Sequence, residues 1–134
     1  MFNYLERRKT LLVYVPLTIY WLILIIATSL PAPDLPSIGF NDKVNHFLAY
    51  FVLAVLLNLT FVFQRKFRFL FDKAAIATIL LCMIYGAIDE LHQIYIPGRF
   101  AEILDWVADS TGAICGVLLI NFLIRSLKYQ PKFV

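Results

Sequence analysis

The chain has 134 residues, 61% hydrophobic and only 16% charged, with a mean hydropathy of +0.78. Such a composition excludes an ordinary soluble domain and describes a membrane protein. The formal net charge of +3 is not a nucleic-acid footprint, because the basic residues flank apolar runs, where membrane topology and anionic headgroups account for them.

The length suits one helical bundle, a single domain over 1–134, and no internal repeat or flexible linker divides it. Four apolar runs reach the roughly 20 residues that a bilayer-crossing helix needs. They cover 11–30, 44–63, 74–95 and 100–124, so the expected fold is an all-α membrane protein, an up-and-down bundle of four transmembrane helices. The first run is charge-free and follows Arg7, Arg8 and Lys9, which resembles a signal peptide. It is longer than the apolar core of about 7 to 15 residues usual there, so it is expected to be retained. Pro16 is tolerable inside it because neighbouring helices can satisfy the freed carbonyl.

The basic residues cluster before the first run, between the second and third (Arg65, Lys66, Arg68, Lys73) and after the fourth (Arg125, Lys128, Lys132). Only Lys43 and Arg99 remain for the opposite side, so the positive-inside rule puts both termini in the cytoplasm. Every acid except Glu6 and Asp72 falls on the other, outer side. The first outer connection, rich in proline from Pro31 to Pro36, cannot be helical for long. Its Leu35, Ile38 and Phe40 could enter the interface or cover the bundle. Asn41 or Asp42 is suited to cap the second helix.

Lys43, His46 and Tyr50 share one face of that second helix. At the end of the third, Glu90 and Gln93 are i and i+3, while Asp89 is spaced to meet His92 and Gln93. Pro97 and Gly98 then stop the helix and reverse the chain. Arg99 could hold a carboxylate or phosphate through its fork of donors, or simply neutralise Glu90 or Glu102. In the fourth run Asp105, Asp109, Gly112 and Gly116 form a stripe at i, i+4, i+7 and i+11. The two glycines allow close helix packing. The carboxylates, roughly 8 and 14 Å below Phe100 at 1.5 Å per residue, must face an interior, a partner or water. Together Lys43, His46, Tyr50, Glu90, Gln93, Arg99, Asp105 and Asp109 are expected to line one polar pocket at the outer end.

Asp42-Lys43-Val44-Asn45-His46 with Tyr50, Glu90-Leu91-His92-Gln93, Pro97-Gly98-Arg99, and Asp105 with Gly112 and Gly116 together resemble the VanZ-like family. The resemblance runs from about Ser29 to Gly116 and departs at Asp109, where the family pattern often has asparagine. It implies a multi-pass protein of the bacterial cytoplasmic (inner) membrane, related to the cell envelope and to glycopeptide resistance, teicoplanin in particular; the family's chemistry is not established.

Three readings of function stand. The first is an accessory protein whose pocket binds a lipid-linked or glycopeptide-type ligand. The second is a membrane enzyme acting on an envelope lipid or peptidoglycan precursor, with Glu90 or Asp105 as general acid/base and His46 as partner. The third is a proton- or cation-coupled carrier using Asp105 and Asp109, which with four helices requires a homo-oligomer. Whether the chain is an enzyme is left open. No cofactor is expected. Neither is a metal: there is no zinc-type Cys/His spacing, and His46 and His92 stand on different helices, although Asp89 and His92 are spaced as a Glu-x-x-His ligand pair would be. Cys82 and Cys115 read as small apolar fillers. The partners expected are membrane lipids and the pocket ligand, with no nucleic acid.

Overall fold

Every regular element among the described residues is helical. The structure is a computed structural model and describes residues 1–31 and 41–133. The elements are α1 (Phe2–Arg7), a π-helical turn (Thr10–Tyr14), α2 (Val15–Ser29), α3 (Asp42–Phe63), α4 (Arg68–Asp72), α5 (Ala74–Gln93) and α6 (Ile103–Ser126). Four helices are long and apolar enough to cross a membrane: Thr10–Ser29, Asp42–Phe63, Ala74–Gln93 and Ile103–Ser126. Leu35, Ile38 and Phe40, expected to cover the bundle, lie outside the described residues.

The first two spans fall within two residues of expectation, at Thr10–Ser29 and Asp42–Phe63, and the last two shift as well. The third helix ends at Gln93 rather than 95, and the fourth runs from Ile103 to Ser126 rather than 100–124. Gly98 takes a left-handed φ of 77° and reverses the chain, and the Glu90 carboxylate accepts from the Glu102 backbone N–H at 2.8 Å. Glu102 therefore stands as an anchored N-cap, and Asp105 occupies the first helical turn. Asp109 stands only about 9 Å along α6, by helical rise. At the other boundary left open, Asn41 is the cap of α3, its side chain accepting from Lys43 N at 3.0 Å.

Pro16 is accommodated by widening the helix. A proline has no N–H to donate and its ring crowds the carbonyl four residues back; the π-helical turn ends two residues before it.

The core is the seam between α3 and α6. A Cβ added at Gly116 would stand 2.6 Å from the Phe51 carbonyl oxygen, and one at Gly112 would run into the Phe47 carbonyl oxygen. The two glycines thus bring one helix backbone against the other. Ala113, Val117 and Ile120 continue the buried face of α6 against Ala54 and Leu57 of α3. Deeper in the bundle Asn58 donates to Thr78 at 3.3 Å, a polar link from α3 to α5. Exposed Ile, Leu and Val cover the outward faces of α2, α5 and α6, the surface a hydrocarbon solvent requires.

The ends of the bundle differ. At the basic end Glu6 takes the Arg65 guanidinium and the Tyr129 hydroxyl, the latter at 2.6 Å. Lys9 donates to the Phe63 carbonyl at 2.7 Å, and Phe2 stacks on Tyr129 at 5.1 Å. Burial and the bond to Glu6 push the Tyr129 phenol well above its ordinary value, so it remains a donor. The polar end holds the starts of α3 and α6 and the end of α5.

Candidate functional site

Lys43, His46 and Tyr50 project from α3 towards α5 and α6, each at a different depth. Lys43 Nζ bonds Glu102 Oε2 at 2.7 Å and Asp105 Oδ1 at 2.8 Å. One turn deeper, His46 Nδ1 lies 3.0 Å from Asp109 Oδ1 and 4.0 Å from Glu90 Oε1. Tyr50 is buried below it, its ring 5.9 Å from that of Tyr85 and its hydroxyl without a hydrogen bond among the described residues. The stripe from Asp105 to Asp109 on α6 faces the stripe from Lys43 to His46 on α3, and the glycines below permit the approach.

Gln93 and Arg99 form a second group. Gln93 is buried, donates to Asp89 Oδ2 at 3.3 Å, and accepts from Arg99 Nη1 at 3.3 Å. Arg99 also donates to the carbonyls of Ala27 at 3.0 Å and Leu30 at 3.3 Å, closing the last turn of α2. The expectation that it neutralises Glu90 or Glu102 is therefore not met: it makes no carboxylate pair among the described residues, and Lys43 neutralises Glu102 instead. Two of its five N–H donors remain uncommitted there.

A cavity of about 420 Å³ opens among α2, α3 and α5. Its walls are mainly apolar and include Ile23, Leu24 and Ile26 of α2; Asp42, His46, Asp89 and Arg99 give it a polar side. A smaller hollow of about 210 Å³ lies beside it, lined by Gln93, Glu102 and Asp105, with Asp42 and Arg99 common to both. Trp21, edge-on to Tyr85 at 5.4 Å, ties α2 to the aromatic floor.

The expected pocket lining does not include Asp42, Asp89 or Glu102, which the pattern offers only as a helix cap, as a partner of His92 and Gln93 and as a partner of Arg99; Tyr85 it passes over. A signal existed for two of them, since Tyr85, Asp89 and Gln93 form an i, i+4, i+8 stripe on α5. No signal marked the α2 wall, which consists of ordinary aliphatic residues. His92, suggested as a ligand partner of Asp89, is exposed. The His46, Glu90 and Asp109 ligand atoms, by contrast, all lie within 4.8 Å of one another, as do those of Asp42, His46 and Asp105.

Four apolar spans with ionisable groups buried near one end define an all-α membrane protein with an enclosed polar centre. The VanZ/LLP1 family profile matches residues 6–125, and the chain belongs to the VanZ-like family. An uncharacterized protein of the fission yeast Schizosaccharomyces pombe is 31% identical over 126 residues, covering 92% of this chain and 69% of that protein. No solved structure matches the chain.

Proposed function

We propose that the hollow at the polar end binds the anionic head of a lipid-linked ligand. The observation that carries this reading is Arg99, which borders both cavities, pairs with no carboxylate among the described residues and keeps two donors. Ile23 and Ile26 line the larger cavity and are also largely exposed on α2, so a hydrocarbon tail can leave between helices without crossing a polar barrier. A lipid-linked ligand is preferred to a free glycopeptide because similarity to a fission-yeast protein favours a ligand class common to bacterial and fungal membranes.

In this reading the protein sits in the bacterial cytoplasmic (inner) membrane, both termini inside and the hollow facing outward. Its role there is an accessory one in the cell envelope, related to glycopeptide resistance. Higher teicoplanin tolerance in cells expressing the protein is the expected outcome at that level.

The direct test is native mass spectrometry of the purified full-length protein with a polyprenyl phosphate. Wild-type protein should retain it, and Arg99→Gln or His46→Gln should weaken retention at least tenfold in protein that still elutes as a folded species. Equal retention by all three would sink the reading. A second reading, enzymatic, is favoured by the pairing of His46 with Asp109: a carboxylate on Nδ1 orients the ring, and Nε2 makes no hydrogen bond among the described residues, free to exchange a proton with a substrate. Turnover of the bound polyprenyl phosphate would distinguish it from binding alone.

A further inference from the structure

We propose that His46, Glu90 and Asp109 form a binding site for one divalent transition-metal cation. The charge balance points there first. Asp89, Glu90 and Asp109 are 4%, 6% and 0% exposed, and none pairs with a lysine or arginine among the described residues. Lys43 is committed to Glu102 and Asp105, and Arg99 to carbonyl and amide oxygens. His46, even protonated, offers one positive charge against three carboxylates. Uncompensated charge of that kind is costly inside a membrane protein. A doubly charged ion supplies what the side chains lack.

The atom left over is the independent sign. Glu90 Oε1 is buried and accepts no hydrogen bond among the described residues, although a carboxylate oxygen at such depth is normally satisfied. Glu90 Oε1 is turned into the cluster, 4.0 Å from His46 Nδ1, while its other oxygen holds the Glu102 N–H and fixes the side chain. Asp109 Oδ1 is 3.0 Å from the same nitrogen, and an ion bound there would take the place of the proton between them. With bonds of about 2.0 to 2.2 Å, two ligands of one ion stand roughly 3 to 4.2 Å apart, which the two measured separations match.

One imidazole and two carboxylates suit zinc or manganese better than the softer or harder ions. Three protein ligands would leave a position open, and His46 borders the 420 Å³ cavity where a ligand oxygen could complete the shell. The neighbouring triple of Asp42, His46 and Asp105 is a poorer candidate, because Asp42 is exposed and Lys43 Nζ already sits 2.8 Å from Asp105. The metal site rests on the cluster and not on the identity of whatever enters the cavity.

The test uses full-length protein carrying no polyhistidine tag, stripped with a chelator in detergent and dialysed against Zn²⁺ alone. Elemental analysis should find about one Zn²⁺ per chain, and the ion should raise the melting temperature. Glu90→Gln, which keeps its size and its Oε2-side hydrogen bond to Glu102, should lower zinc affinity at least tenfold and abolish that rise, as should Asp109→Asn. Exposed His92→Gln should change neither. Wild-type protein holding less than a tenth of an equivalent would overturn the site, whatever the variants do. So would equal zinc in wild type and in folded Glu90→Gln, or loss of zinc in His92→Gln, which marks a surface ion. Zinc uptake without polyprenyl phosphate binding would leave the metal site standing and remove only the lipid reading.

Discussion

Asp109 is fully buried, and its Oδ1 is the partner that fixes the His46 ring. Replacement by Asn preserves an oxygen acceptor at that place, so Asp109→Asn should fold with a small loss of stability. Asp109→Leu removes the acceptor and leaves the buried Nδ1 unsatisfied, which costs about 1 to 3 kcal/mol. Thermal unfolding in detergent should rank wild type, Asn and Leu in that order; an Asn variant as unstable as Leu would mean the charge itself holds the ring. The geometry at position 109 accommodates either aspartate or asparagine. Both types accept a hydrogen bond from Nδ1, and only the carboxylate adds charge. That distinction was visible in the sequence as a residue type, whereas the partner, 63 positions away, was not.

Helix α6 shows which parts of an element a one-dimensional pattern contains. The stripe from Asp105 through Gly116 is legible because 3.6-residue periodicity is local, and its burial follows from the residue types. The start of α6 was misplaced by three residues because it depends on a carboxylate from α5 that caps Glu102, a contact no local pattern encodes. The glycine seam yields a direct prediction. A methyl at Gly112 would meet the Phe47 carbonyl rather than a yielding side chain, so Gly112→Ala should force α6 off α3 at a cost of about 1 to 3 kcal/mol. The melting temperature should fall, and an unchanged value would show that the helices can separate freely. The far end of α6 predicts a gain. Lys128 adopts φ of 49°, and Tyr129 N–H and Lys128 N–H bond the carbonyls of Ile124 and Arg125, a helix stop usually built on glycine. Lys128→Gly should raise stability by up to about 1 kcal/mol, read as a higher melting temperature.

At the scale of the molecule, two opposed ends are tied by different means, and the difference bears on its orientation. The basic end is locked by side chains from three remote stretches: Glu6 binds Arg65 and Tyr129, and Lys9 reaches Phe63. The acidic end is organised around the buried centre, with α2 attached chiefly by Tyr20 to the Ala49 carbonyl and by Arg99 to its last turn. The bundle could be foreseen from hydropathy alone, since four apolar lengths and short polar connections leave few alternatives. The cavity could not, because it arises where an aliphatic helix stands slightly away from its neighbours. The charges predict a sidedness. Lysines and arginines at helix ends resist translocation, and nearly all of them belong to the end that gathers residues 1–9, 64–73 and 125–133. A reporter fused after Val134, or inserted between Lys66 and Phe67, should therefore be active only in the cytoplasm, and a cysteine in place of Tyr95 should react with a membrane-impermeant thiol reagent added outside intact cells. Replacing Arg65, Lys66 and Arg68 together by Gln should weaken that bias and yield a mixed population, since it leaves Lys73 as the remaining basic residue of that connection. A reporter active outside, with Tyr95→Cys shielded, would invert the bundle and put the polar centre on the cytoplasmic face.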